Sequence, residues 1–350
     1  QGYVVLCAEG GRSPEGVNTA VVTLNNLPSS LLKDYLPDDV SINTKANATI
    51  AGQFSTVEDF IGVVNVSLAK GDIRYRLQGR EVLIPLDKTL LDVQARPTGV
   101  TSSLNIDWGK YLRVDGSGGI NDLFKDNIVD ASVKANIPSF DWVSPLMPVL
   151  QDLGGEVIFS GDVHGPMAKP KIGANLSVKN GKLYIASLNS RLKAINLNVD
   201  LKEGTPEFFI KGSVGTNEGT LKLDGHYNIA TFNVLMNAEG ENLLLADSKD
   251  IRVKVSPKIS FSGENGTAGP KYQLKGVVRI PELRYIHSSM GSGGSVVTVS
   301  DDTIIVGGGY DEKRSQSFMD SLKMDLNIIL GDKILVGAEG LTATLNGGLK

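Results

Sequence analysis

The sequence has 350 residues, a formal net charge of −4 and a single cysteine, and 41% of its residues are hydrophobic. This length exceeds what one hydrophobic core usually supports, so several units or an elongated repeat are expected. The scattered lysines and arginines argue against nucleic-acid binding, Cys7 alone excludes an internal disulfide, and no apolar run approaches the roughly 20 residues of a membrane-spanning helix.

The first predicted unit covers residues 1–137 and contains a short helix near residues 28–36. There Ser30 precedes apolar residues at a helical spacing. Alternating apolar and polar residues follow, as in residues 64–74. A period of two places successive side chains on opposite faces of a strand, so this unit is predicted to be mostly β.

The second predicted unit covers residues 138–256. Its helix is expected at residues 140–153, where an apolar pattern ends at a glycine. The alternation then becomes regular: in residues 171–179 the even positions are apolar, and in residues 195–201 the odd positions are apolar. Each of these strands therefore has one apolar face and one polar face.

The third predicted unit, residues 257–350, is partial. Residues 174–184 resemble residues 64–74 at an offset of 110 positions, and residues 278–285 are a looser copy. Two glycine- and serine-rich stretches, 288–295 and 307–317, are predicted to be flexible loops. The repeat predicts one continuous structure built from similar units.

Glycine-containing pairs between the alternating runs predict hairpin turns, and hence mostly antiparallel neighbours. These predicted turns lie at Asn180 and Gly181, Glu203 and Gly204, residues 217–219, and Glu239 and Gly240.

The apolar faces must be covered by a second sheet, by helices or by a ligand. Helices are too few, and aromatic residues, the usual anchors of a sandwich core, make up only 6% of the chain. A slot lined by small and medium aliphatic side chains has room for hydrocarbon chains. We therefore predict an all-β fold, an elongated and curled antiparallel-rich sheet that encloses a hydrophobic groove, with a few short helices at its rim. The predicted lining residues are Ile172, Ala174, Leu176, Val178, Leu183, Ile185, Ile195, Leu197, Val199, Leu201, Leu221, Leu223, Phe232, Val234, Met236, Ile251, Val253, Val255, Leu322, Met324, Leu326, Ile328 and Leu330.

Catalysis requires polar groups that converge, and the sequence has no such motif. The histidines His164, His226 and His287 are far apart, and the pair Asp301 and Asp302 fits a solvated turn better than a calcium or catalytic site. The glycine clusters do not match the spacing of nucleotide-binding loops. No catalytic residue, metal site or cofactor is predicted, and the protein is not expected to be an enzyme.

Several segments resemble the TamB family, within the broader AsmA-like group. They are residues 153–165 with Pro170 and the strand around Asn180, then residues 277–281, 296–306 and 326–332, in that order. The resemblance implies a periplasmic β-structure folded like a taco around a hydrophobic groove. It also implies phospholipid transport between the inner and outer membranes, support of outer-membrane protein assembly, and an Omp85-type (TamA-like) barrel as partner.

The resemblance further implies an inner-membrane anchor, which is expected to lie outside this chain. Two other functions remain open. The chain is alternatively a scaffold that assists insertion or secretion of β-barrel proteins and autotransporters without carrying lipid, by lending a sheet edge for strand addition. A surface adhesin of stacked β-repeats, with a filled interior, is the third possibility.

Overall fold

The computed structural model describes residues 3–56, 59–77, 79–121, 127–147, 150–266, 269–287, 321–338, 341–345 and 347–349. The predicted loops at 288–295 and 307–317, and the segment 296–306, lie outside these residues. The described part contains 23 strands and three short 3₁₀ helices, which confirms the all-β prediction. Twenty strands are assigned to one large open sheet and three to a small sheet. Among the described residues, none of the helices has the length and apolarity to cross a bilayer.

The chain divides into two compact units. Unit 1 consists of residues 1–183 and 195–206, and unit 2 consists of residues 184–194 and 207–350. The division into three repeats at residues 137 and 256 stays a prediction.

Unit 1 is an antiparallel meander in which β1, β2, β4, β5, β8, β9, β10, β11 and β12 pair in that order. The strands omitted from this series, β3, β6 and β7, form the small sheet. The strand bounds are β1 Val5–Arg12, β2 Asn18–Pro28, β3 Val40–Asn43, β4 Lys45–Phe54, β5 Ile61–Leu68, β6 Gly71–Leu77, β7 Arg80–Leu86, β8 Lys88–Arg96, β9 Gly99–Asp107, β10 Arg113–Asn121, β11 Ile128–Ile137 and β12 Leu150–Pro166.

Strands β13 (Lys171–Ile185) and β14 (Ser190–Leu201) are each divided between the two units. Unit 2 continues with β15 Glu207–Gly215, β16 Thr220–Asn228, β17 Asn233–Glu241, β18 Leu243–Asp247, β19 Ile251–Gly266, β20 Gly269–His287, β21 Leu322–Ala338, β22 Leu341–Thr344 and β23 Gly347–Leu349. Strands β15, β16, β17, β19 and β20 pair antiparallel in that order, and β18 pairs with the first part of β19. Strand β21 runs parallel to β20, whereas the short β22 and β23 pair with it antiparallel. The predicted preference for antiparallel neighbours is therefore confirmed.

The helices are shorter than the sequence predicts. The segment expected as a helix at 28–36 is a 3₁₀ helix at Ser29–Tyr35, and a third 3₁₀ helix spans Ala186–Leu188. The helix predicted at 140–153 is a 3₁₀ helix only over Asp141–Leu146, and residues 150–153 begin β12 instead. Pro145 lies inside the 3₁₀ segment. Because proline has no backbone N–H, it prevents a regular α-helix from continuing there.

Two of the predicted turns are turns, and two are not. Residues 203–204 and 217–219 lie between strands, but Asn180 and Gly181 lie within β13, and Glu239 and Gly240 lie within β17. Asn180 has a positive φ of 51°. This conformation accommodates a local irregularity in a long strand without reversing the chain. At Gly240, a Cβ would lie 2.9 Å from the carbonyl oxygen of Thr220, so glycine permits close pairing there.

Candidate functional site

One face of the sheet in unit 2 is apolar across six neighbouring strands. In the strand register, Leu223 on β16 lies opposite Ala238 on β17, which lies opposite Ile259 on β19. Alternate residues of each strand share that face. This surface, called the apolar face of unit 2, carries Phe208, Ile210, Val214, Leu221, Leu223, Tyr227, Val234, Met236, Ala238, Ile251, Val253, Val255, Ile259, Phe261, Tyr272, Leu274, Val278, Ile280, Leu322, Met324, Leu326, Ile328 and Leu330.

The opposite face of unit 2 is polar. Lys222, Glu239 and Lys258 lie in one row across β16, β17 and β19, and Lys258 Nζ lies 3.1 Å from Glu239 Oε1. In the next row, Asn237 Nδ2 donates to Asp224 Oδ2 at 3.2 Å. Hydrogen bonds and ion pairs thus connect neighbouring strands on this face, and the two faces differ sharply in chemistry.

Unit 1 has the same two-faced construction. Leu91 on β8 lies between Val66 and Leu104, whereas its neighbour Leu90 points to the other face, between Ser67 and Asn105. The apolar face of unit 1 carries Ala20, Val22, Leu24, Ala46, Ala48, Ile50, Val64, Val66, Leu68, Leu91, Val93, Ala95, Val100, Leu104, Ile106, Val114, Ile120, Val129, Ala131, Val133, Ala135, Ile137, Val157, Phe159 and Val163.

Asparagine side chains bridge neighbouring strands on the polar face of unit 1. Asn105 Nδ2 donates to Asp115 Oδ1 at 2.6 Å, and Asn65 Nδ2 donates to Asp92 Oδ1 at 2.5 Å. Asn175 on β13 likewise donates to Asn198 on β14 at 3.0 Å. Since a one-residue slip would move these partners to the wrong face, the bridges fix the register as well as satisfying polar groups.

The Asn175 bridge locates the predicted lining residues of β13 and β14. Asn175 and Asn198 share a face of the sheet. The residues next to each asparagine in its own strand therefore point to the opposite face. Beyond the irregularity at Asn180, a Cβ at Gly181 would lie 2.9 Å from Ile195 Cβ. The predicted residues on these two strands are Ile172, Ala174, Leu176, Val178, Leu183, Ile185, Ile195, Leu197, Val199 and Leu201.

Phe232 is the exception among the predicted residues. It continues the alternation of β17 in sequence, but it lies in the turn before that strand, with a positive φ of 59°. Its side chain is 58% exposed. The turn is held by the side chain of Asn228, whose Oδ1 accepts hydrogen bonds from the backbone N–H groups of Ala230 and Thr231, each at 3.0 Å.

The predicted lining residues are accessible. Ile172, Leu176, Phe232 and Met324 are exposed, and the other members of the set are half-buried. Side chains packed between two sheets would be buried. In the described part of the chain, the buried apolar side chains are Val82, Leu86, Val114, Leu153, Leu243, Leu244, Ala246 and Ile334, and none belongs to the predicted set.

The apolar faces contain residues that the predicted lining set does not include. These are the apolar face of unit 1 and, in unit 2, residues such as Phe208, Phe261 and Leu274. These residues show the same period of two as their predicted neighbours, so the alternation itself could have identified them. Aromatic rings stack between neighbouring strands of the apolar face of unit 2. Phe208 on β15 stacks near Tyr227 on β16, and Phe261 on β19 stacks on Tyr272 on β20 with ring centroids 5.8 Å apart.

A network of charges connects four elements of unit 2. Arg252 on β19 contacts Asp247 Oδ1 at 2.5 Å, Glu218 Oε1 at 2.6 Å and Glu282 Oε1 at 2.9 Å. Lys254 Nζ lies 2.7 Å from Glu218 Oε2 and 2.8 Å from Glu282 Oε2. This set of five side chains, called the Arg252 network, ties β18 and the turn between β15 and β16 to the β19–β20 pair.

The network shifts the pKa values of Glu218, Glu282, Lys254 and Arg252. Hydrogen bonds, first from Lys254 and then from Arg252, lower the pKa of Glu218 and the pKa of Glu282. Hydrogen bonds to Glu218 and Glu282 raise the pKa of Lys254, and those to Asp247, Glu218 and Glu282 raise the pKa of Arg252. Glu218, Glu282, Lys254 and Arg252 are therefore charged at neutral pH, as expected for an ion-pair network.

The histidines of the chain are distributed over the described strands. The three histidines lie on separate strands, β12, β16 and β20. His164 Nδ1 lies 3.0 Å from Asp130 Oδ1, across β11 and β12. Within the described ranges there is no cluster of three or more His, Cys, Asp or Glu side chains suited to a metal ion. The apolar faces are the candidate functional site, because their side chains are accessible instead of being packed in a core.

Two protein-family models match this chain. The model of the TamB N-terminal domain matches residues 3–178, and the model of the TamB C-terminal domain matches residues 210–350. No solved structure matches the chain. The two matched regions together cover most of the strands that carry the apolar faces.

Proposed function

Because this chain belongs to the TamB family, we propose that its apolar faces shield the acyl chains of phospholipids passing between the inner and outer membranes. TamB proteins are non-enzymatic envelope components of transport and assembly, associated with the machinery that assembles the outer membrane. Lipid delivery by this chain would support outer-membrane protein assembly. An Omp85-type (TamA-like) barrel as the outer-membrane partner, and an inner-membrane anchor for the parent protein, are parts of the same proposal.

The half-exposed apolar faces carry this proposal. Burial of one methylene group contributes about 0.8 kcal/mol. Transfer of a 16-carbon acyl chain from an apolar environment into water therefore costs on the order of 12 kcal/mol. A transport path must therefore contact the acyl chain along its whole length. Rows of aliphatic side chains that continue from strand to strand, such as Leu223, Ala238 and Ile259, supply that contact.

Two neighbouring leucines on β8 provide a matched test in unit 1. Leu91→Arg places a charge on the apolar face, whereas Leu90→Arg makes the same substitution on the polar face, where Leu90 is 37% exposed. We expect Leu91→Arg to abolish crosslinking of a phospholipid with a photoreactive acyl chain, because the groove would lose its continuity. Leu90→Arg should leave crosslinking unchanged. Equal effects of the two variants would contradict the proposal.

The equivalent pair in unit 2 is Met236 and Leu235 on β17. Met236 lies opposite Phe261 on the apolar face, and Leu235 lies opposite Ser262 on the polar face. Met236→Arg should block crosslinking at unit 2, and Leu235→Arg should not. Circular dichroism of all four variants establishes that a lost crosslink reflects lost binding and not unfolding.

An edge strand favours the second candidate function, a scaffold for outer-membrane β-proteins. Every residue of β1 is exposed, and in the described part of the chain β1 pairs only with β2. An open edge offers backbone groups to an incoming strand. Cys7 on β1 is exposed and provides a native crosslinking point. Crosslinks between Cys7 and a cysteine in the terminal strand of a barrel precursor, lost in Ala8→Pro, would support the scaffold; their absence would count against it.

A further inference from the structure

A polar cleft of about 450 Å³ lies at the end of unit 2 where β17, β20 and β21 begin and β19 ends. Its lining includes Lys271, Lys323, Gln273, Asn233 and Ser262. These side chains belong to the polar face, as shown by the register partners Gln273 and Lys323. The cleft thus gathers ammonium, amide and hydroxyl groups at one end of the sheet.

The charges of the cleft are unbalanced. Lys271 and Lys323 are both exposed, and no carboxylate of the described residues lies within ion-pair distance of either ammonium group. Glu264, which also lines the cleft, is the register partner of Lys271. Among the described residues that line the cleft, two cations and one carboxylate leave a net positive charge, which favours an anion with several acceptor oxygens.

The cleft adjoins the apolar face. Tyr272 lines the cleft, and its ring stacks on Phe261, a member of the apolar face. A second cleft of about 160 Å³, lined by Phe232, Pro270 and Tyr272, shares Glu264 and Tyr272 with the first. Met324 and Phe232 are 59% and 58% exposed. Cationic groups and accessible apolar side chains therefore meet at one rim of unit 2.

We propose that the cleft at Lys271 and Lys323 binds the phosphate-bearing headgroup of an anionic phospholipid whose acyl chains lie on the apolar face of unit 2. This inference rests on the proposed lipid function and adds a preference for lipids of net negative charge. The two lysines hold the phosphodiester oxygens, and Gln273 and Asn233 donate hydrogen bonds to the remaining headgroup oxygens. Tyr272 lies at the boundary between the headgroup and the acyl chains.

The test measures total lipid and lipid selectivity separately. The chain is incubated with vesicles of equal parts phosphatidylglycerol and phosphatidylcholine and repurified, and its bound lipid is extracted and quantified by mass spectrometry. The test variant is Lys271→Glu with Lys323→Glu. The control, Lys193→Glu with Lys249→Glu, makes the same change of net charge at two exposed lysines of unit 2 outside the cleft. Inorganic phosphate binding is measured in parallel by calorimetry.

We expect the wild-type chain to enrich phosphatidylglycerol about fivefold or more, since each lysine near an anionic headgroup contributes about 1 kcal/mol. The test variant should lose this enrichment and keep its total lipid, and the control should keep both. Enrichment that persists in the test variant, or that falls equally in the control, would overturn the headgroup site and leave the lipid function intact. Binding of inorganic phosphate through these lysines without lipid enrichment would also overturn it. A wild-type chain that extracts no lipid would refute the lipid function itself.

Discussion

Arg252 on β19 lies directly opposite Arg284 on β20. Like charges at directly opposed positions destabilise a strand pair. The carboxylates of the Arg252 network offset this repulsion, since Glu282 is the register partner of Lys254 and also accepts a hydrogen bond from Arg252 Nε at 2.9 Å. The network therefore has a structural role in holding the long β19–β20 pair together.

The first prediction concerns the removal of one charge from this network. Glu282→Gln should lower the free energy of unfolding of unit 2 by about 1–2 kcal/mol, because it leaves Arg252 and Lys254 with fewer compensating charges in a partly buried site. Hydrogen exchange of β18, β19 and β20, followed by mass spectrometry, measures the loss. Glu239→Gln is the control, since its pair with Lys258 is largely exposed and contributes little. A similar loss of protection in both variants would argue against the network.

The second prediction concerns pH. The pKa values of Glu218 and Glu282 lie below their ordinary value of 4.5, so their stabilising contribution is complete above about pH 4.5 and is lost as the pH falls through the lowered values. The pKa of Lys254 is raised above its ordinary value of 10.5, so its contribution is complete below that pH and is lost as the pH rises through the raised value.

The contribution of the Arg252 network to the free energy of unfolding of unit 2 should therefore be constant between about pH 5 and pH 10 and should fall in acid. Urea unfolding at several pH values, monitored by hydrogen exchange in β18 to β20, measures this dependence. Lys254→Met should reduce the loss of stability at acid pH, because hydrogen bonds from Lys254 are the main cause of the lowered pKa values of Glu218 and Glu282. If the loss of stability at acid pH is the same in that variant as in the wild type, other groups control the acid dependence.

The third prediction compares two glycines of the apolar faces. Gly276 on β20 has a φ of 138°, and a Cβ there would overlap the carbonyl oxygen of Lys258. Gly276→Ala should therefore destabilise unit 2 by about 2–3 kcal/mol. At Gly116 on β10, a Cβ would lie 3.6 Å from Leu104 Cβ, an ordinary contact. Gly116→Ala should be neutral or slightly stabilising, and calorimetric unfolding of both variants tests the contrast. A stable Gly276→Ala would mean that β19 and β20 can separate at this point without cost.

The alternation in the sequence indicates which residues share a face of a strand, because this relationship follows from backbone geometry alone. Residues such as Leu221 and Leu223 share a face wherever their strand is placed. The same pattern does not mark where a strand begins, so it groups Phe232 with Val234 although Phe232 lies in the preceding turn. Nor does it separate a glycine that reverses the chain from one within a strand, as at Gly181 and Gly240.

The direction of strand pairing and the ion-pair network cannot be predicted from the alternation, for a different reason. A parallel strand and an antiparallel strand with one apolar face have the same alternation, so the parallel pairing of β20 with β21 left no local signal. The Arg252 network is equally non-local. Glu218 and Glu282 are 34 and 30 positions away from Arg252, and the fold alone brings them together.

The positions of the tryptophans give the chain a built-in optical reporter. Its only tryptophans, Trp108 and Trp142, both belong to unit 1. The indole N–H of Trp108 donates to Thr89 Oγ1 on β8 at 2.9 Å, and the ring of Trp142 contacts Tyr111 at 5.9 Å between centroids. Thr89 lies in the row of the apolar face that contains Leu68 and Ile106. Tryptophan fluorescence consequently reports on unit 1, because unit 2 contains no tryptophan. The substitution Phe232→Trp would add a second tryptophan signal from the rim of unit 2.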